Sequence, residues 1–251
     1  MQNNIFFEKF YQYVLQNIFH FLDDKMLADF IVYFNALKEW NEKFNLISFK
    51  SDSEILYRHF VDCLYSSKII KDLTNLACKT LKVVDIGSGA GMPGIPVKIS
   101  LPQIKITLIE SIAKKCNFLK NVNESLNFDI EVLNERAETT GQNPKYREKY
   151  DFALSRAVSK FSPNLEIAVP LLKIGGYFIV YKTKKSIQCN KDGLLSIQNV
   201  LRHLGAKLEK ILDYELLNQE LKYCILVFKK VKHTPAQFPR KTGIPEKKPL
   251  L

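Results

Sequence analysis

The chain has 251 residues, of which 46% are hydrophobic and 25% charged, as is typical of a folded globular protein. No apolar run reaches the roughly 18 residues that span a bilayer, so we expect no membrane-embedded segment. The formal net charge of +11 favours a polyanionic partner such as nucleic acid, although an anionic membrane surface or a lysine-rich proteome would also account for it. The amino terminus lacks the pattern of a signal peptide, and we expect a cytoplasmic protein.

The cysteines are odd in number and show no spacing that is typical of disulfide frameworks or zinc sites. We therefore expect no bound metal and interpret the cysteines as buried thiols. They are Cys63, Cys78, Cys116, Cys189 and Cys224.

The first part of the chain has the periodicity of helices. Ser51 lies three residues before Glu54, a capping-box spacing that begins one of them. On that helix Arg58, His59 and Asp62 lie around one side, and a structural role is favoured over a catalytic one. An earlier stripe at helical spacing is assigned to the core. It contains Leu27, Phe30, Ile31, Phe34, Leu37 and Phe44.

From Thr80 onwards, apolar segments rich in Val, Ile and Tyr alternate with segments that are mostly long enough for helices. Such a series folds as a parallel sheet with helices on both faces. The last two apolar segments are too close for a crossover helix, so we expect an antiparallel hairpin at the sheet edge. The sequence thus predicts an α/β fold with a mixed, mostly parallel sheet. The predicted strands are "LKVVDIG", "IKITLIES", "FDIEVLNER", "YDFALSRAV", "GGYFIVYK", "KLEKILDYELL" and "LKYCILVFKKV".

The chain divides into three predicted parts, a helical extension at 1–75, an α/β domain at 76–231 and a basic tail at 232–251. The tail is rich in proline and lysine and has no periodicity. We expect the tail to be flexible or to be held extended against a partner surface.

A glycine-rich loop follows the first predicted strand. Gly87, Gly89 and Gly91 have G-x-G-x-G spacing, whereas the dinucleotide fingerprint is G-x-G-x-x-G. Asp85 lies two residues before the first glycine, where a carboxylate holds a cationic amino group but repels a pyrophosphate. This arrangement disfavours NAD.

Glu110 ends the second predicted strand, 23 residues after Gly87. That interval is near the one at which an acidic side chain reaches the hydroxyl groups of a ribose. A ribose at Glu110 and a cationic group at Asp85, with no phosphate requirement, describe S-adenosylmethionine better than a dinucleotide.

Several motifs together resemble the RsmG (GidB) family of class I, Rossmann-like methyltransferases. The resemblance implies that the chain uses S-adenosylmethionine and produces 7-methylguanosine in 16S ribosomal RNA of the small subunit. It covers nearly the whole chain. The motifs are "LKEWNEKFNLIS", "RHFVDCL", "DIGSGAGMPGIP", "ERAE", "SRAV" and "FPRKTGIPEKKPL".

The resemblance also implies roles for single residues. Gly87 and Met92 line the methionine end of the cofactor, Ala137 and Glu138 contact the adenine, and Arg156 lies at the mouth of the site. The family often reads T-G-P-G-L-P-G where this chain has S-G-A-G-M-P-G, and methionine is a near-isosteric replacement for leucine. The family's acid on the second strand is commonly Asp, whereas this chain has Glu110.

The residues after the fourth predicted strand agree with attack by a ring nitrogen. Enzymes that alkylate exocyclic amines commonly carry an acidic or amide residue followed by two prolines there, and this chain has "SRAV". Guanine N7 has a free lone pair and needs no base. We expect Arg156 to be the catalytic residue that orients RNA or cofactor, and its alternative is an ion pair with a nearby carboxylate.

Basic residues after the fifth predicted strand and towards the end of the chain are predicted to contact RNA phosphates. Phe161 and Phe238 are candidates for stacking on a base, with a core position as the alternative. Truncation after Val231 is then expected to weaken RNA binding and to leave cofactor affinity unchanged. The basic residues are Lys182, Lys184, Lys185, Lys229, Lys230, Lys232, Arg240, Lys241, Lys247 and Lys248.

Two other functions remain open from the sequence, an NAD-dependent oxidoreductase and a noncatalytic RNA-binding module that has lost its cofactor. For the methyltransferase, the expected partner is small-subunit ribosomal RNA, as naked RNA or in a 30S subunit intermediate. We expect a monomer.

Overall fold

The computed structural model describes residues 2–18, 22–74, 80–156, 161–184, 193–216 and 222–250. Within them one seven-stranded sheet has the order β3-β2-β1-β4-β5-β7-β6. Its strands are β1 Lys82–Ile86, β2 Lys105–Ile109, β3 Ile130–Leu133, β4 Tyr150–Ser155, β5 Leu172–Thr183, β6 Ala206–Tyr214 and β7 Tyr223–Lys230.

The predicted parallel series and the antiparallel hairpin are both confirmed. The strands β1 to β5 pair in parallel, whereas β7 is antiparallel to both β5 and β6. Because β7 inserts between β5 and β6, the hairpin's first strand becomes the sheet edge. The helices between and after the strands are α5 Gly94–Ser100, α6 Ala113–Ser125, α7 Ala137–Gln142, α8 Phe161–Ala168, α9 Gly193–Leu204 and α10 Ile244–Lys247.

The first part of the chain is helical, as predicted. After α1 Gln2–Asn17 and α2 Asp24–Lys43, a third helix begins as α3 Asp52–Glu54, widens into the π-helix Ile55–Phe60 and continues as α4 Val61–Leu73. The N-cap forms as the capping-box spacing indicates. The Ser51 hydroxyl accepts the Glu54 N–H at 3.4 Å, and the Glu54 carboxylate accepts the N–H of Lys50 at 2.7 Å.

These helices share one hydrophobic core with the sheet. Phe30, Tyr33 and Leu37 of α2 are completely buried in the same cluster as Ile95 of α5 and Leu108 of β2. The predicted boundary at residue 75 falls within residues 75–79, outside the described residues, so the division into parts stays a prediction. No helix in the described ranges is long and apolar enough to cross a membrane.

The end of the chain differs from the prediction of a flexible or partner-bound tail. Residues 232–250, here called the C-terminal strap, pack against the chain's own α7 and α8. Phe238 is only 6% exposed, and Arg240 pairs with the completely buried Glu166. Burial of the Phe238 ring stabilises this position, and the pairing with Arg240 compensates the buried charge of Glu166.

Candidate active site

The glycine loop lies at the carboxyl edge of the sheet, between β1 and α5. The N–H groups of Gly87 and Ser88 donate to the carbonyl of Ile109 at 2.9 and 3.0 Å, which fastens the loop to the end of β2. Gly87, Gly89 and Gly91 have φ values of 67°, 57° and 88°. These left-handed conformations favour glycine, and they explain the G-x-G-x-G spacing.

The surroundings of two of these glycines differ, because Gly91 is closely packed and Gly89 faces open space. A Cβ atom on Gly91 would lie 2.3 Å from Cδ1 of Ile95, so a side chain does not fit there. At Gly89 a Cβ atom would meet only the Gly87 carbonyl oxygen, at 3.8 Å. The space above Gly89 is therefore open to a ligand.

Asp85 is completely buried at the end of β1. Its Oδ2 accepts the N–H of Gly94 at 3.0 Å, whereas Oδ1 is buried without a hydrogen-bond partner. Burial raises the pKa of Asp85 to about 7, and the nearby Glu110 carboxylate adds to this rise. A buried carboxylate oxygen without a donor is an incomplete site, and a cationic group would complete it.

Glu110 follows β2 and is 6% exposed. One carboxylate oxygen accepts the N–H of Gly89 at 2.9 Å, and the other accepts the N–H of Ile112 at 2.8 Å. Each oxygen has a second lone pair, because a carboxylate offers about four acceptor positions. Glu110 thus holds the glycine loop and still has acceptors for hydroxyl groups.

Ala137 and Glu138 begin α7, beyond the end of β3. Both line one crevice with Gly87 and Glu110, whereas the completely buried Asp85 does not line it. The Glu138 carboxylate, however, accepts the N–H of Gly243 from the C-terminal strap at 2.9 Å.

Arg156 forms the ion pair that the sequence analysis treats as the alternative to a catalytic role. Its Nε lies 2.6 Å from Oδ2 of Asp62, and its Nη1 lies 3.2 Å from Nδ1 of His59 and 3.7 Å from Sδ of Met92. Burial alone would lower the pKa of Arg156, but its interactions with Asp62, Cys63 and Tyr181 together outweigh burial and raise it. The guanidinium joins the N-terminal helices to the glycine loop.

The π-helix and its continuation bring His59 and Asp62 to the same guanidinium. Burial and the neighbouring charge of Arg156 lower the pKa of His59 to about 4. The ring is therefore neutral at neutral pH, and its Nδ1 accepts from Arg156. This agrees with the structural role favoured from the sequence.

Two tyrosines that the sequence analysis does not identify also support the site. The hydroxyl of Tyr214 in β6 donates to Oδ1 of Asp62, and the hydroxyl of Tyr33 in α2 donates to the carbonyl of Ala90 at 2.5 Å. Both contacts join residues more than 50 positions apart in the chain, and no local pattern indicates them.

Several residues predicted to contact RNA serve the fold instead. Phe238 is buried and so is not available for stacking, Arg240 pairs with Glu166, and Lys230 is completely buried 2.6 Å from Glu148. Phe161 is half-buried, with the ammonium of Lys182 4.8 Å from its ring centroid. Lys185 lies outside the described residues. The predicted residues that are exposed are Lys232, Lys241, Lys247 and Lys248.

The residues present fit S-adenosylmethionine. The orphaned Oδ1 of Asp85 suits the ammonium group, the spare acceptors of Glu110 suit the ribose, and the open space at Gly89 suits a ligand that passes close to the backbone. A second acidic group near Asp85 disfavours a pyrophosphate.

A model of the GidB family, described as rRNA small subunit methyltransferase G, matches residues 26–210. This chain belongs to that family. The rRNA small subunit methyltransferase G of Acetivibrio thermocellus is 41% identical over 230 residues, which cover 91% of this chain and 90% of that protein. The Clostridium novyi protein of the same name is 39% identical over 91% of both chains.

Solved structures support the class I methyltransferase fold. A branched-chain polyamine synthase mutein from Thermus thermophilus, solved with N4-aminopropylspermidine and 5′-methylthioadenosine, has a TM-score of 0.55 and 10% identity. The structural match covers 69% of this chain and 56% of the synthase chain. A Galdieria sulphuraria protein named as a sarcosine dimethylglycine methyltransferase has a TM-score of 0.54 and 13% identity over 78% of this chain and 98% of its own.

As a member of the rRNA small subunit methyltransferase G family, the chain is an S-adenosylmethionine-dependent methyltransferase of small-subunit ribosomal RNA. The family membership gives no support to an oxidoreductase or to a noncatalytic RNA-binding module.

Proposed function

We propose that this protein transfers the methyl group of S-adenosylmethionine to N7 of a guanine in 16S ribosomal RNA. The observation that carries the proposal is the family match over residues 26–210, which includes the glycine loop and both acidic strand ends. S-adenosylmethionine supplies the methyl group, which its sulfonium carries. The chain's own residues bind the cofactor and orient the two reactants.

In this proposal the cofactor residues lie along the carboxyl edge from β1 to β4. Asp85 holds the amino group, the backbone at Gly87, Gly89 and Gly91 lies beneath the methionine end, and Met92 lines it. Glu110 binds the ribose. Ala137 and the first turn of α7 form the wall beside the adenine.

Arg156 is a positioning residue in this account. Its donors are directed at Asp62, His59, the Arg58 carbonyl and the Met92 sulfur, which leaves its guanidinium bound within the protein. We propose that it acts on the reaction by holding Met92 and the glycine loop in place. The loop in turn serves the alignment of the two reactants, and such alignment accounts for about 7 to 11 kcal/mol of the barrier in well-oriented reactions.

The chemistry of a ring nitrogen suits this site. Guanine N7 has a free lone pair, so no side chain has to remove a proton before the attack. Methylation at C5 of a pyrimidine would instead require a thiolate nucleophile. Burial raises the thiol pKa of each described cysteine, Cys63, Cys116 and Cys224, which disfavours thiolate chemistry.

The RNA is proposed to reach the crevice from the carboxyl edge of the sheet. Phe161 begins α8 and Lys182 lies near the end of β5, both at this edge. They are the candidates for base stacking and phosphate contact. We further propose that the protein acts in the cytoplasm as a monomer, with naked rRNA or a 30S intermediate as its substrate.

The test is methyl transfer from labelled S-adenosylmethionine to purified 16S rRNA and to 30S subunits that lack the modification. Digestion and mass analysis of the nucleosides should give the label in 7-methylguanosine. The Asp85→Asn variant should give much less product. Label in another nucleoside, or no label with either substrate, would refute the proposal.

A further inference from the structure

The C-terminal strap is fastened to the domain by glutamates. Arg240 makes a bidentate pair with the buried carboxylate of Glu166, with Nε to Oε1 at 2.8 Å and Nη2 to Oε2 at 2.6 Å. Glu148 accepts the N–H of Thr234 at 3.1 Å and lies 2.7 Å from Nδ1 of His233. Because Glu166 is completely buried, loss of its partner would be costly, and the seated strap is the stable arrangement.

A third glutamate joins the strap to the cofactor crevice. Glu138 lines the crevice and is 4% exposed, and its Oε1 accepts the N–H of Gly243 at 2.9 Å. Gly243 has a φ of 78°, a conformation that favours glycine, and it begins α10. The crevice carboxylate is thus hydrogen-bonded to the strap.

The strap also contacts the far end of α7. A Cβ atom on Gly141 would lie 2.8 Å from Cγ of Pro239, so the strap passes directly over the helix backbone there. The Gln142 amide donates to the carbonyl of Pro239. The strap therefore holds both ends of this short helix, whose first turn is a wall of the crevice.

We propose that the C-terminal strap is a positioning element for the adenosine end of the cofactor site. The Arg240–Glu166 pair seats the strap, and the Gly243 N–H together with Pro239 keeps α7 in the position that binds the nucleoside. The inference rests on the proposed function, because it assigns the crevice to S-adenosylmethionine. It reverses the expectation from sequence, in which the tail binds RNA and has no effect on cofactor affinity.

The experiment measures S-adenosylmethionine affinity by calorimetry, with wild type beside Arg240→Ala and Gly141→Ala. Lys241→Ala is the matched control, because Lys241 is an exposed cation in the same strap. We expect both test variants to bind the cofactor roughly tenfold more weakly, within the usual range for coupling between neighbouring sites. The control should bind like wild type.

Two further measurements separate positioning from a general loss of folding. The double variant Arg240→Ala/Glu166→Gln removes the pair without leaving a buried unpaired charge, and it should still bind weakly while unfolding near the wild-type temperature. Hydrogen exchange should become faster in α7 and stay slow in β1 and β4.

The outcomes are distinguishable. If Arg240→Ala and Gly141→Ala are folded and both bind the cofactor like wild type, the inference is overturned and the proposed function is not. Weaker RNA binding with a flatter salt dependence and unchanged cofactor affinity would overturn it as well and would restore the RNA role of the tail. Absence of S-adenosylmethionine binding to wild type would overturn the proposed function, and the inference with it.

Discussion

Asp85 has the most unusual electrostatic environment among the residues proposed to bind the cofactor. Its pKa of about 7 in the ligand-free protein lies above the ordinary value of 3.8 because the carboxylate is buried. Between these values the folded protein binds a proton that the unfolded chain does not bind. The free energy of unfolding should therefore fall as the pH rises from about 4 to about 7, and this contribution should level off above that range.

The raised pKa of Asp85 predicts how the ligand-free Asp85→Asn variant differs from wild type in stability. At pH 8 the variant should be more stable than wild type by a few kcal/mol, since each unit of pKa shift corresponds to about 1.4 kcal/mol. Near pH 3.5 the two proteins should unfold alike, because Asp85 is then mostly protonated both in the folded protein and in the unfolded chain. Urea unfolding at both pH values measures this, and a variant that is less stable at pH 8 would contradict the environment described.

The same group predicts how cofactor binding depends on pH. A cationic ligand binds the ionised carboxylate, so wild-type affinity for S-adenosylmethionine should rise up to about pH 7. The affinity of Asp85→Asn should be low and should not follow this rise. Calorimetry at a series of pH values tests it, and parallel profiles would place the titrating group elsewhere.

The ion pair between Arg156 and Asp62 predicts a large loss of stability. Asp62→Ala leaves a buried guanidinium without its carboxylate, and removal of one partner of a buried pair typically costs about 3–5 kcal/mol. Glu39→Ala is the control, because Glu39 pairs with Lys43 in an exposed position where pairs contribute about 1 kcal/mol or less. Equal losses in denaturant unfolding would show that the Asp62 pair contributes little.

For single residues, the sequence predicts the positions of the site residues better than it predicts the groups that hydrogen-bond to them. Asp85 and Glu110 are predicted because their distances from the glycine loop fix them at strand ends, and the structure places both there. The donors and acceptors that complete them come from remote positions. Gly243 at Glu138 and Tyr214 at Asp62 depend on how the strap and β6 fold back, which no local spacing encodes.

The N-terminal helices support the glycine loop through a contact from α2. Tyr33 of α2 is completely buried, stacks on Phe60 at a centroid distance of 5.0 Å and donates to the Ala90 carbonyl within the loop. The N-terminal helices therefore support the loop that is proposed to bind the cofactor, in addition to contributing core residues.

Tyr33→Phe tests this support. The loss of one hydrogen bond to a buried carbonyl should cost about 1–3 kcal/mol of stability and should weaken S-adenosylmethionine binding. Tyr11→Phe is the matched control, because the hydroxyl of Tyr11 in α1 donates to the Leu22 carbonyl at 2.8 Å, away from the glycine loop. Its variant should lose stability but not cofactor affinity. If both variants bind the cofactor like wild type, the Tyr33 contact has no part in the site.

The elements themselves are largely predictable because their periodicities differ. Alternating apolar segments give the strands, and the short connection before "LKYCILVFKKV" gives the hairpin. The widening of the third helix at Ile55–Phe60 has no signal in the helical periodicity. The strap is missed for another reason, since prolines and lysines indicate an extended segment but not the surface that it packs against.

For the whole molecule, the positive charge is divided between structure and surface. Lys230 and Arg240 neutralise buried or half-buried glutamates, whereas Lys241, Lys247 and Lys248 are exposed. A net charge from sequence counts both groups alike. Exposed lysines remain the candidates for phosphate contacts on a ribosomal substrate.

The crevice at the carboxyl edge of the sheet is proposed to hold S-adenosylmethionine. A crystal structure with the cofactor bound tests this proposal most directly. We expect the amino group of the cofactor at Asp85, its ribose at Glu110 and its adenine beside Ala137. A cofactor bound at another place, or an amino group turned away from Asp85 with the ribose out of reach of Glu110, would contradict it.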